Sequence, residues 1–203
     1  MLQARVVNDV ISIGKHFNLA FQRTLRIPDD GRTYPLPPGL GHFPVCKVDD
    51  YIDRVPASWK KDGGVFIPMY QREALWISFG SPSNVPCVVK IGVGRINAVS
   101  GKPWDAKLHR GEQDYVVCPD QPWLDGYAVG KGVIRQFVAM PLGAGCSAEE
   151  QVTGTAEHGG LQLMVFPMKR KVYERRFPRR PRAAEAGPSY GTAEMPCVCD
   201  ISM

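Results

Sequence analysis

Two carboxylates, an amide and two aromatic rings crowd into residues 119–127, as Asp120, Gln121, Trp123, Asp125 and Tyr127. Carboxylates and amides exchange hydrogen bonds with hydroxyls and amines, and ring faces stack on flat apolar surfaces. Such a group suits a carbohydrate ligand or a protein partner. It equally suits a packed loop in which Trp123 plugs one end of a β structure and the acids cap turns. Further acids at Asp105, Glu112, Asp114 and Glu157, with Trp104 and Tyr115 nearby in sequence, are enough for a two-carboxylate glycan hydrolase drawing on the 105–125 region. The separation of the two acids decides that mechanism, and spacing along the chain does not supply it.

Other chemistries fail on spacing. The four histidines, at 16, 42, 109 and 158, are isolated from one another in sequence, so no metal is expected. Gly92–Lys102, GVGRINAVSGK, imitates a phosphate loop but has Ile96 where the first glycine belongs and Pro103 in place of Ser/Thr. No nucleotide or other cofactor is expected. Cys146 with His158, or Cys118 with His109, would make a thiol nucleophile and its base. Buried cysteine in a β core is the commoner use of that residue.

The elements that must hold the 119–127 group are strands. Asp114–Cys118 and Val133–Met140 flank it, the second alternating Val133, Arg135, Phe137 and Ala139 with Ile134, Gln136, Val138 and Met140. Between them Pro119, Pro122, Gly126, Gly130 and Gly132 argue against a regular element. Upstream, residues 4–13 fit a helix or a strand, and Leu19–Ile27 alternates as a strand that Pro28-Asp29-Asp30-Gly31 closes as a turn. Tyr34–Pro44 carries four prolines and two glycines, which makes it an extended crossing pinned by Leu36, Leu40 and Phe43. Val45–Val48, Gly64–Met69, Ala74–Phe79, Pro86–Gly92 and Leu161–Met168 complete about eight strands. One helical turn is expected near Pro56. Ser147-Ala148-Glu149-Glu150 spells a capping box for a short helix that Gly154 ends. The fold predicted over residues 1–168 is mainly β, an antiparallel sandwich or irregular barrel with one or two short helices.

Net charge is +5, but its distribution matters more than its sum. Residues 1–168 carry 17 Lys/Arg against 16 Asp/Glu, whereas 169–182 carry eight against one. The basic residues there are Lys169, Arg170, Lys171, Arg175, Arg176, Arg179, Arg180 and Arg182. A near-neutral body excludes broad capture of nucleic acid or anionic membrane by the folded part. The block at 169–203 is expected to be a disordered tail that binds polyanions weakly. Six scattered cysteines show no disulfide framework, no apolar run approaches the ~20 residues of a membrane span, and the N-terminus lacks a signal-peptide pattern. These features predict a cytoplasmic protein with reduced thiols.

The words RTLRIPDDG (23–31), YPLPPGLG (34–41), PDQPWLDG (119–126) and IRQFVAMPLG (134–143) resemble those of an uncharacterised group of β-rich bacterial and fungal proteins, over roughly 20–168. The resemblance implies no activity. It implies that further β-rich sequence normally follows, so that a strand edge is open here to self-association. The functional expectation is a non-enzymatic binding or assembly module, its ligand or partner loop at 119–127 and its partner a protein or carbohydrate. The glycan-acting hydrolase is the alternative.

Overall fold

The computed structural model describes residues 2–178. The chain divides between Lys169 and Arg170 into two units. In the first, Asn8 and Asp9 both adopt positive φ, the geometry of a two-residue hairpin turn, and join β1 (Ala4–Val7) to β2 (Val10–Ile13). The β-branched residues of 4–13 therefore resolve as a hairpin. Next come β3 (Phe17–Thr24), β4 (Cys46–Lys47), a 3₁₀ turn at Val48–Tyr51, α1 (Ala57–Asp62), β5 (Val65–Phe66), β6 (Ala74–Gly80), β7 (Cys87–Val93) and β8 (Ile96–Asn97). The unit is completed by β9 (Val116–Cys118), β10 (Trp123–Leu124), β11 (Gly126–Gly130), β12 (Val133–Val138), α2 (Ala148–Thr153) and β13 (Leu161–Pro167).

The strands form two main antiparallel sheets and a small one. The larger has the order β1-β2-β3-β6-β12-β11, with β10 pairing β6. The smaller runs β13-β7-β8, with β9 beside β7, and β4 pairs β5 separately. Phe17, Leu19, Phe21, Leu75, Ile77 and Phe79 from the first sheet share one apolar core with Cys87, Val89, Ile91, Val116 and Cys118 from the second. A core shared between two sheets is a sandwich, and no barrel closes.

The proline-rich crossing is extended, as its composition requires, but it also pairs. β2 covers β3 only from Phe17 to Leu19, and the crossing takes the rest of that edge through Phe43 N to Phe21 O, Arg23 N to Gly41 O and Leu40 N to Arg23 O, each 2.8 Å. Phe43 anchors it, fully buried, while Leu40 stays exposed.

Two expectations are corrected. Residues 119–132 do contain regular structure, because β10 pairs Trp123 and Leu124 with Ser78 and Ile77, and β11 pairs with β12. Glycine permits that pairing: a Cβ on Gly126 would lie 2.1 Å from the Arg135 carbonyl oxygen. In the second unit, the basic block read as disordered from 169 contains α3 (Arg170–Arg176), with an Arg170–Glu174 pair at 2.7 Å one helical turn apart.

Candidate functional site

β7 reads Cys-Val-Val-Lys-Ile-Gly-Val, one charge in an apolar strand. Cys87, Val89 and Ile91 face the shared core, so Lys90 points from the opposite face of the sheet. It is nonetheless 1% exposed, because segment 104–114 folds over it. Its ammonium has three protons and three acceptors: Asp105 Oδ1 at 2.6 Å, Asp114 Oδ2 at 2.7 Å and the Lys107 carbonyl. The Trp104 ring centroid lies 5.4 Å away.

The two carboxylates also organise their own loop. Asp105 Oδ1 accepts from Lys107 N, Asp105 Oδ2 lies 2.7 Å from His109 Nε2, and Asp114 Oδ1 accepts from His109 N. Asn97 on β8 donates to the Asp114 carbonyl and accepts from Val99 N and Ser100 N. Electrostatics follow from these contacts. Burial alone would push Lys90 down, yet its hydrogen bonds to Asp105 and Asp114 and their negative charge hold it above the usual lysine value. The Lys90 hydrogen bond, then that of His109, holds Asp105 far below the usual carboxylate range. For Asp114 burial acts upward and is overcome by Lys90 and the His109 backbone N–H, leaving it below its ordinary value.

Asp105, His109 and Asp114 bring three potential ligand atoms within 4.8 Å of one another, which resembles a metal set whose two members with exposed side chains, Asp105 and His109, stand four residues apart. The Lys90 ammonium already engages both carboxylates from inside the fold. The group is built around the Lys90 ammonium as its cation, buried with Asp114 and reaching out to the exposed carboxylate of Asp105.

Trp104 also walls a cleft of about 320 Å³. The indole lies so close over Gly92 that a Cβ there would approach Trp104 Cε3 to 2.8 Å, and Lys90 sits beside the ring. The opposite wall comes from α2 and the turn after it: Thr153, Thr155, Glu157 and His158. The floor is the β7–β8 turn, where Gly94 and Arg95 take positive φ. Glu149 locks these parts together. Its buried carboxylate accepts from the backbone N–H of Glu157, His158 and Gly159 at 2.7–3.1 Å, and these three bonds outweigh burial and lower its pKa. The Ser147 capping box is formed in full, with Gly154 in the left-handed conformation that ends the helix.

The residues expected to bind ligand lie elsewhere. Asp120 and Gln121 are exposed in the crossover from β9 to β10, where Gln121 N bonds Val117 O and Gln121 Nε2 bonds Trp123 O. Trp123 on β10 is 45% exposed, and Asp125 is half-buried. Tyr127 packs 6.2 Å from the Phe137 ring, and burial pushes its hydroxyl pKa up. None of the five lines the Trp104 cleft. Glu112 pairs with Lys102 at the surface, and Cys146 is exposed with its thiol turned to the Ala144 carbonyl at 3.3 Å. Cys118 is buried opposite Cys87 and has its thiol raised by burial, the reverse of nucleophile activation. Of the basic block, Arg170, Lys171, Arg175 and Arg176 lie on α3 and Lys169 just before it, whereas Arg179, Arg180 and Arg182 fall outside the described residues. Among the described residues no helix is long and apolar enough to cross a membrane.

Sequence reasoning missed Lys90. The readable signal was a lone charge within an apolar strand, which demands buried partners, and Asp105 and Asp114 lie downstream to supply them. No protein-family model, curated protein or solved structure matches the chain.

Proposed function

We propose that the protein is a non-enzymatic binding module whose ligand, a polar molecule of the carbohydrate class, occupies the Trp104 cleft. The observation that carries this reading is the cleft's composition. An indole face fixed by Gly92 and Lys90 stands across from Thr155, Glu157 and His158, with Arg95 at the base. One aromatic wall for stacking and several hydrogen-bonding groups around it is the arrangement that suits a sugar ring. The capped helix and the Glu149 bonds hold the far wall in place before any ligand arrives, which limits the ordering cost of binding.

A hydrolase that uses Asp105 or Asp114 as its acid is less favoured on chemical grounds. A general acid must keep its proton near neutral pH, which requires a raised pKa, and Lys90 holds Asp105 and Asp114 in the opposite direction. Loop 119–127, with Asp120, Gln121, Trp123, Asp125 and Tyr127, is proposed as a partner surface, since Trp123 stays half-exposed on β10, just after the crossover from β9. Weak polyanion binding through Lys169–Arg182 belongs to the same proposal.

A glycan array probed with the full chain and with Arg95→Gly, which preserves the left-handed backbone at that position, tests the cleft. Retention of specific glycans by the parent, a loss of about tenfold or more in Arg95→Gly, and no turnover of the retained glycans are the expected results. Absence of any glycan binding, or hydrolysis of a bound glycan, would overturn the reading.

A further inference from the structure

β7 begins and β9 ends on a cysteine, and their antiparallel register sets the two directly opposite: Cys87 faces Cys118, Val88 faces Val117 and Val89 faces Val116. Opposed residues in an antiparallel ladder have Cα atoms about 4.5 or about 5.5 Å apart, depending on the class of pair. Both values lie within the roughly 4.4–6.8 Å that a disulfide spans. Opposed side chains share a face, and here it is the core face, where Cys87 is 1% and Cys118 0% exposed. The pair occupies the last rung of the β7–β9 ladder, with Pro86 preceding Cys87 and Pro119 following Cys118, while β13 continues to hold the other edge of β7 through Pro167 opposite Cys87.

We propose that Cys87 and Cys118 form a cross-strand redox pair that closes into a disulfide tying β7 to β9. With a low-molecular-weight disulfide of the glutathione class as oxidant, one cysteine thiolate attacks a glutathione sulfur and releases one glutathione thiolate. The second cysteine thiolate attacks the mixed disulfide and releases the other. Two electrons pass to glutathione, the cysteines lose two protons, and one sulfur–sulfur bond replaces another.

Burial determines when this exchange runs. Burial, and then the neighbouring Cys118, pushes the Cys87 thiol up to about 11, so in the folded protein it is protonated at neutral pH and shielded from the oxidant. The exchange therefore belongs to folding, while the strands are open. Once made, the bond is protected from reductants by the same core. The covalent loop it closes carries Lys90, the Gly94-Arg95 turn, Trp104, Asp105, His109 and Asp114, so the disulfide staples the base of the segment that builds one side of the cleft. This inference stands independently of the cleft's ligand.

The test uses the full chain with Cys46→Ser, Cys146→Ser, Cys197→Ser and Cys199→Ser, unfolded in denaturant and refolded in mixed reduced and oxidised glutathione. Alkylation under denaturing conditions and peptide mapping should then find Cys87 linked to Cys118 and no free thiol. The oxidised form should melt roughly 6–12 °C above the same protein refolded with dithiothreitol, and Cys118→Ser in that background should abolish the difference. The unsubstituted chain, refolded and mapped identically, should show the same linkage, so poor folding of the substituted chain leaves the question decidable. Alkylation of both cysteines after oxidative refolding to a native far-UV spectrum, linkage of either to another cysteine, or a bond that lowers the melting temperature would overturn the proposal.

Discussion

Lys90 shows how much one side chain can organise. An ammonium taken out of water loses hydration worth several kcal/mol, and only complete pairing offsets the loss. Asp105, Asp114 and the Lys107 carbonyl provide that pairing, and in doing so they specify the path of residues 104–114. Lys90→Met should therefore destabilise the protein by roughly 3–5 kcal/mol in a urea titration, because Asp114 would be left buried and unpaired. Lys90→Met combined with Asp114→Leu should recover part of the loss, and a double variant no better than the single would refute the pairing. The same contacts set the response to pH. Asp105, Asp114 and Glu149 have lower pKa values folded than unfolded, so near pH 4 the native state binds fewer protons than the unfolded chain. Their stabilisation is complete above the unfolded values of about 4 and is lost as pH falls through the folded ones. Lys90, raised by its partners, contributes fully below about 10.4 and loses its contribution as pH rises through the folded value. Thermal melts should show a plateau around neutrality and a fall on acidification that is smaller in Glu149→Gln.

At the scale of elements, local chemistry was readable wherever the chain needed only its neighbours. The Ser147-x-x-Glu150 box, the Gly154 terminator and the left-handed conformation of Gly31 could be read directly, since each depends only on a few neighbouring residues. Ser147→Ala should cost about 1 kcal/mol by chemical denaturation, as the Glu150 N–H loses its acceptor. β10 and β11 were not readable, because their partners β6 and β12 decide that a Gly- and Pro-bearing stretch pairs at all. Gly126→Ala should cost roughly 1–3 kcal/mol and loosen the β11–β12 hairpin, seen as faster amide exchange there, since its Cβ has no room against the Arg135 carbonyl. α3 went unseen for a related reason: like charge argued for disorder, while Arg170–Glu174 pairing and the Tyr173–Phe177 ring contact at 5.2 Å supply local helix support.

For the whole molecule, charge is divided between a near-neutral body and a basic C-terminal block. Removing residues 169–203 should abolish retention on heparin at low salt, because the counterion-release contacts come from that block. Retention by residues 1–168 would reveal a basic face on the body. The class of fold follows from local pattern, since alternating apolar residues separated by Gly and Pro turns bury their surface as packed antiparallel sheets. The helix cap, the extended crossing and the segregation of charge were legible too, because they depend on near neighbours or on composition. Which distant residues meet depends on how the strands pair. Lys90 with Asp105 and Asp114, Trp104 with α2 and Glu157, and Cys87 with Cys118 are products of strand order and register. An ion pair, a cleft wall or a thiol pair needs atoms within a few ångströms, and strand pairing sets such distances between residues that spacing along the chain leaves unrelated.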